Sequence, residues 1–444
     1  MKDFATHDDP AVQAQLNRLQ ALSLPHGRIG LETIRTLLDR LGNPQDSLPP
    51  TFHVAGTNGK GSTCAFLLAM LEADGKTVHS ATKPHLVRYN ERIRIAGELV
   101  SDAMLAALLK EVLDASEDLD PSFFEVTTAA TFLAFSREPA DACIIEVGLG
   151  GRFDATNVMQ RPAACGIASL GIDHEHFLLV PEEGVPETPI VRIAFEKSGI
   201  ARPGSPLCVQ EYLREDVRLE IERRAGLAEA PLHMRGREWW ADVGDAINYR
   251  DKHGELALPL PTLPGRHQAD NAALAVAMLR HQDFVTVSPA AMAEGIRSAS
   301  WPARIQTLGE GPLTRILPGR TVLLDGGHNA DAADALAAHV AGLPQPVHAV
   351  VGMMAAKDAR TFLAILGPFF ESLQAVPIVG SAHIDTQELV EIARETLPAS
   401  QPATSVKAAL QAIADNTPAQ GTVLICGSLY LAGQVLEANG EIPG

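Results

Sequence analysis

The chain has 444 residues, 46% of them hydrophobic and 20% charged, and a formal net charge of -18. That length asks for two domains, or three, since single cores stop growing well before it, and the composition excludes a disordered or fibrous chain. The acidic balance excludes broad binding to nucleic acid or anionic membrane, so an anionic substrate would need cations placed locally.

The first residues, MKDFATHDDP, form a polar start without the apolar run of a signal peptide, and no later stretch approaches the roughly 18–20 apolar residues of a membrane span. Leu31, Ile34, Leu37, Leu38 and Leu41 then recur at helical spacing, and Gly42-Asn43-Pro44 ends the helix. The run Thr51 to Ala55 predicts a buried strand, residues 56–61 a glycine loop, and Ser62 to Asp74 a buried helix stopped by Gly75. Further strands are predicted over Lys76–Ala81, Ala142–Val147 and Ala163–Leu170, with helices over Asp102–Leu113 and Thr127–Arg137 between them. Such alternation implies a parallel sheet covered on both faces, with ligands beyond the carboxyl ends of its strands. Residues 231–262 read as a β-rich excursion before a helix over Asp270–Arg280. From about residue 301 four more strand-like runs follow: RTVLLDGGHN, PVHAVVGMM, SLQAVPIVG and GTVLICGS. The five cysteines are scattered and show no C-x-x-C spacing, which points to reduced core thiols in a cytoplasmic protein rather than to disulfides or zinc.

The stretch HVAGTNGKGST, residues 53–63, nearly fits the strand, loop and helix that cradle phosphates. The strict pattern G-x-x-x-x-G-K-[ST] would need glycine at Val54 and a hydroxyl after Lys60, where Gly61 stands. The strand ends also deliver Glu146, Asp173 and His174, and Glu146 is the natural ligand for a hard cation bridging to phosphate. Asp325, His328 and Asn329 follow a strand in the second half, and Arg304 supplies a permanent cation near the expected domain cleft. Each feature alone has an ordinary explanation as a turn, a solvated carboxylate or a structural histidine. Their joint arrival at strand ends is what points to a nucleotide.

The motifs GNPQ, FHVAGTNGKGST, PHLVRYNERIRIAGELVSD, FFEVTTAATF, EVGLGGRFDATN, GIDH, EKSGI, WPARIQ, LLDGGHN, VGMMAAKD and LICGS occur in this order from about residue 28 to 430. Together they resemble the folylpolyglutamate synthase and dihydrofolate synthase family of the Mur ligase superfamily. That superfamily's phosphate loop has the form G-T-x-G-K, followed in the folate branch by Gly and Ser, which accounts for the departure from the strict pattern. Only about fifty residues precede the loop, too few for the UDP-binding domain of peptidoglycan Mur ligases.

The resemblance implies an α/β fold: a P-loop-containing, Mur-ligase-like domain with a mostly parallel sheet over residues 1–300, which binds ATP and folate, and a smaller Rossmann-like C-terminal domain over 301–444. It implies an ATP-dependent ligase that adds L-glutamate to dihydropteroate and to the glutamate tail of reduced folates through an acyl phosphate. A folylpolyglutamate synthase with that single activity is the near alternative, and a non-catalytic folate- or nucleotide-binding protein is the alternative of another class.

By resemblance, Gly56, Thr57, Asn58, Gly59, Lys60, Gly61 and Ser62 bind ATP, together with Asn271, Arg304, Asp325 and His328. Lys60, His174 and Lys197 serve catalysis. Glu146, His174 and Lys197 as its carbamate hold Mg²⁺, expected as two ions, with Thr82 a further candidate ligand. His85, Arg88, Phe124, Arg152, Asp154 and Ala155 are the expected folate contacts. Two departures stand out: Lys83 occupies a position commonly held by a metal-binding serine, and the span from His174 to Lys197 is long, so that His176 competes as a ligand. No coiled coil or apolar docking helix is visible, and a monomer is expected.

Overall fold

The computed structural model describes residues 6–22 and 30–444; residues 1–5, in the polar start, and 23–29 lie outside them. The described chain forms two compact units, the first built from residues up to 83, 90–262 and 267–300, the second from 84–89, 263–266 and 301–444.

The first unit is organised by eight strands: β1 Thr51–Ala55, β2 Val78–Ala81, β3 Ile93–Ile95, β4 Glu98–Leu99, β5 Ala142–Glu146, β6 Ala164–Ile167, β7 Leu207–Val209 and β8 Leu232–Met234. Their order in the sheet is β4-β3-β2-β5-β1-β6-β7-β8. All pairings are parallel except those of β3 with β2 and β4. β1 is buried throughout and lies between β5 and β6, with Val54 opposite Glu146 and Ala55 opposite Ile167. The register therefore sets the carboxyl ends of three strands side by side. The β-rich excursion forms a separate antiparallel sheet of β9 Trp239–Val243, β10 Ile247–Asp251 and β11 Gly254–Leu258.

The helix after β1, Lys60–Ala73, is buried from Gly61 to Leu67 and again at Met70 and Leu71. Helix Pro289–Ser298 packs against it through Gly295, where an added Cβ would stand 2.4 Å from the Met70 nitrogen and 2.5 Å from its Cα. Gly→Ala in a helix interior ordinarily gains about 0.5–1 kcal/mol. Here the overlap with rigid backbone should reverse the sign, and Gly295→Ala is expected to lose about 1–3 kcal/mol, read as a lower urea midpoint. A raised midpoint would contradict this close approach.

The second unit holds a six-stranded sheet of β12 Gln306–Thr307, β13 Thr321–Leu324, β14 Val347–Val351, β15 Ser372–Ala375, β16 Ser400–Pro402 and β17 Thr422–Cys426, in the order β12-β13-β17-β14-β15-β16. Only β12 pairs antiparallel. Alternate residues feed two cores, Leu323, Leu424 and Cys426 on one face and Val322, Val423 and Ile425 on the other. That double burial is the reason these strands are continuously apolar. The mixed α/β architecture agrees with the sequence reading. No helix among the described residues is long and apolar enough to cross a membrane.

Two histidines of the first unit pack against each other. His233 on β8 and His281, just after helix Arg266–Arg280, have ring centroids 4.0 Å apart. His233 Nδ1 and His281 Nε2 are buried without hydrogen-bond partners. Burial, then the facing His281, pushes the His233 pKa down to about 4; burial also lowers that of His281. The unfolded chain therefore binds protons below about pH 6.5 that the folded chain refuses, and stability falls as pH drops from there toward 4. At pH 5 the expected loss from His233 is below about 2 kcal/mol, because solvent reaches the ring and screens part of the penalty. His233→Phe should flatten urea midpoints between pH 7 and 5; an unchanged slope would show that the pair carries no such penalty.

Candidate functional site

The loop after β1 departs from ordinary backbone geometry at two glycines. Gly56 has φ +153°, and a Cβ there would meet Ala168; Gly59 has φ +81°, and a Cβ there would stand 2.4 Å from Asn271 Oδ1. Gly59 caps helix Lys60–Ala73 without any side-chain hydrogen bond to the first turn. A helix end of this kind presents N–H groups to an anion. The loop is tied to the end of β6: Thr57 N–H donates to the Ser169 carbonyl at 2.7 Å, Thr57 Oγ1 to the Gly171 carbonyl at 2.7 Å, and Asn58 N–H to Ser169 Oγ at 3.1 Å. These bonds draw the GIDH stretch against the phosphate loop.

Two amines share one carbonyl at its base. Lys60 Nζ donates to the Gly56 oxygen at 3.0 Å, and Lys197 Nζ to the same oxygen at 2.9 Å. Lys197 ends helix Pro189–Lys197 and is 4% exposed. Burial, then the neighbouring Lys60, lowers its pKa to about 7. At neutral pH much of this amine is unprotonated, the form that reacts with carbon dioxide. The long span before it is folded by ion pairs: Glu182 and Glu196 each bind both Arg152 and Arg192. That network returns Lys197 to the loop. It also engages Arg152, an expected folate contact, with two carboxylates.

Glu146 ends β5, buried, and its Oε2 accepts the Lys83 N–H at 3.0 Å. His174 adopts φ 57°, a left-handed conformation, with its N–H on Asp173 Oδ1 at 2.7 Å. His176 instead lies exposed, its ring 4.3 Å from that of Phe177. Among the described residues no three His, Cys, Asp or Glu side chains form a group able to hold a metal ion. For Mg²⁺ this donor set still fits, because that ion commonly takes one or two carboxylates and fills its shell with phosphate and water oxygens. Glu146 supplies one carboxylate and a carbamate on Lys197 would supply another. Thr82 is half-buried at the end of β2, one residue before Lys83.

Beyond Glu146, Asp154 Oδ2 accepts the Gly148 and Leu149 N–H groups at 3.1 and 2.8 Å. Its other oxygen binds Thr156, which bonds the buried His53 of β1 at 2.8 Å. Phe124 lies over Gly148, where a Cβ would be 2.1 Å from its ring. Ala155 is buried beside these residues in sequence. Asn271 bonds Gln268 at 3.1 Å and faces Gly59. The first unit thus brings together the phosphate loop, Glu146, Lys197, Phe124 and Asp154.

In the second unit, Asp325 accepts the N–H groups of Ile305 at 2.9 Å and Gly327 at 2.6 Å. Ala303 and Ile305 have φ 56° and 50°, so the two neighbours of Arg304 are held in a conformation that a β-branched residue rarely adopts. His328 Nδ1 contacts the Gly326 carbonyl at 3.1 Å. His85 and Arg88 lie in residues 84–89 of this unit, with the His85 ring 5.1 Å from Tyr89 and Arg88 donating to the Pro443 carbonyl at 2.9 Å. The roles of Ser169 and Gly171 as anchors of the phosphate loop escaped the sequence reading, because only the fold brings them to Thr57.

Residues 318–438 match the family described as dihydrofolate synthetase, C-terminal domain. The chain is 35% identical over 413 residues to the dihydrofolate synthase/folylpolyglutamate synthase of Escherichia coli K12, covering 92% of this chain and 91% of that one. Its structure is similar to that of E. coli FolC in complex with DHPP and ADP, with TM-score 0.85, 33% identity and 97% of each chain covered. A bifunctional folylpolyglutamate synthase/dihydrofolate synthase with Mn, AMPPNP and L-glutamate bound is similar at TM-score 0.82 and 31% identity, over 96% of this chain and 97% of that one. With a phosphate loop, a buried carboxylate and a buried lysine converging as described, the chain belongs to the dihydrofolate synthase/folylpolyglutamate synthase family.

Proposed function

We propose that this protein is an ATP-dependent ligase that joins L-glutamate to dihydropteroate and extends the glutamate tail of reduced folates. The observation that carries the reading is the pair of amines, Lys60 and Lys197, on the Gly56 carbonyl, one strand away from Glu146. A substrate carboxylate oxygen attacks the γ-phosphorus of ATP, the bond to the β-phosphate oxygen breaks, and ADP leaves. The amine of glutamate attacks the acyl phosphate carbon, an amide forms, and phosphate departs while the amine loses its proton. No enzyme nucleophile is required; the chain aligns two anions and neutralises their charge.

Lys60 and the N–H groups at the start of helix Lys60–Ala73 hold the phosphates within the loop of residues 56–62, with Ser62 in the first helical turn and Asn271 beside Gly59. Glu146, His174 and a carbamate on Lys197 would hold Mg²⁺, which would offset phosphate charge. Phe124, Asp154 and Ala155 form the folate end in the first unit, and Arg152 orders the span that delivers Lys197. Arg304, Asp325 and His328 are the proposed ATP contacts of the second unit, and His85 and Arg88 its proposed folate contacts. A cytoplasmic monomer is proposed; all five cysteines are free and buried.

The test offers dihydropteroate and tetrahydrofolate separately with ATP, Mg²⁺ and L-glutamate, and follows phosphate release and product mass. Glutamate addition to both is expected. Addition to tetrahydrofolate alone would reduce the protein to a polyglutamate synthase, and addition to neither would overturn the ligase reading.

A further inference from the structure

Lys83 stands two residues past the end of β2, where Ala81 pairs with Ile145 of β5. Its backbone N–H is fastened to Glu146, and its side chain reaches Phe124: Nζ lies 4.2 Å from the centroid of that ring. Phe124 in turn covers Gly148, whose N–H binds Asp154. The ammonium therefore lies against the aromatic face of Phe124, on a residue whose backbone is held by the carboxylate that ends β5. Asp154 and Glu146 are the carboxylates in its field and Arg92 is the opposing cation. Lys83 is half-buried as a residue, and its amine is a point charge on a flexible stem with three donors to place.

We infer that Lys83 is a positioning residue for the substrate's acid end: its ammonium binds the carboxylate that is to be phosphorylated and sets substrate specificity for an anion there. The inference rests on the ligase reading above. A substrate seated beside Phe124 and extended toward the loop ends in an anion, and the γ-phosphate that must approach it is an anion too. A cation beside that meeting point lowers the repulsion before any bond forms. Its charge-assisted hydrogen bond is lost when the acid becomes an amide. A neutral side chain at position 83 removes the same bond from the protein side.

The test compares binding of dihydropteroate with that of its neutral carboxamide, by equilibrium titration in the presence of AMPPNP and Mg²⁺, to the wild type, Lys83→Gln and Lys83→Arg. The wild type should prefer the acid by at least about tenfold. Lys83→Gln should bring the two ligands to within about twofold by weakening the acid alone, and Lys83→Arg should keep most of the preference. AMPPNP affinity, measured separately, reports that each variant is folded. A preference retained in Lys83→Gln, an equal loss for both ligands, or a wild type that does not discriminate would overturn the inference. Glutamate ligation by the same wild-type preparation separates the two failures: ligation with no Lys83 effect removes only this assignment, whereas a wild type that neither binds dihydropteroate nor releases phosphate removes the ligase reading.

Discussion

Lys60→Met should lower ATP-dependent phosphate release by at least about 10³-fold while leaving the melting temperature within a few degrees of the wild type. The amine rests on the Gly56 and Thr57 carbonyls at 3.0 and 3.2 Å, at the start of helix Lys60–Ala73, whose first turn has no side-chain cap. Bound phosphate offers it charged acceptors in place of neutral ones, and the gain is largest as charge moves between phosphorus centres. Methionine keeps the stem and removes the charge. The loop itself is held by Thr57 and Asn58 bonds to Ser169 and Gly171, which the substitution leaves in place. A purified, folded variant with near-normal turnover would show that phosphates bind elsewhere.

Lys197→Met should abolish ligation to a similar extent and should not lower stability. The folded amine titrates near pH 7 against about 10.5 in an unfolded chain. Its pKa is depressed, so the unfolded state binds the extra proton, and the burden on folding is full below pH 7, shrinks between 7 and 10.5, and vanishes above. Replacement by a thioether of similar length removes that burden, and the urea midpoint at pH 7 should equal or exceed that of the wild type. The Gly56 carbonyl keeps Lys60 as its partner. The same near-neutral amine predicts uptake of carbon dioxide: ¹³C-bicarbonate should give a carbamate resonance in the wild type that is missing in Lys197→Met. A resonance that persists in the variant would place the modification on another amine.

The legible parts of this fold are those whose signal is local. The strand Thr51–Ala55, the glycine loop and the helix after it announce themselves by an apolar run, two strained glycines and a continuously buried face. Helix Pro10–Ala21 hides in the polar start, although Asp9 accepts the Ala11 and Val12 N–H groups and Pro10 opens the helix, because only Val12, Leu16 and Leu19 are buried. The expected helix at Thr127 begins four residues earlier, at Phe123. The capping box of Ser122 and Glu125 fixes that start, and the S-x-x-E spacing was there to be read. Strand β16, three residues with a proline at the sheet edge, carries almost no strand signal.

The site divides in the same way. In the proposed site, Lys60 and His174 follow predicted strands and Glu146 stands at the end of one, so their placement was legible from position. That Lys197 reaches the Gly56 carbonyl across 141 residues is a property of the folded chain, built by the Arg152, Glu182, Arg192 and Glu196 ion pairs. No local pattern shows residues 84–89 packing with the second unit either, where a Cβ on Gly433 would stand 1.8 Å from the Leu86 carbonyl oxygen.

The central claim is that a carboxylate is phosphorylated by ATP before glutamate attacks, and isotope transfer tests it most directly. Dihydropteroate carrying ¹⁸O in its carboxylate is incubated with the enzyme, ATP, Mg²⁺ and L-glutamate, and the released phosphate is weighed. The acyl phosphate route moves one carboxylate oxygen into each phosphate, so one ¹⁸O per phosphate is expected in step with amide formation. Amide formed with unlabelled phosphate would contradict the account.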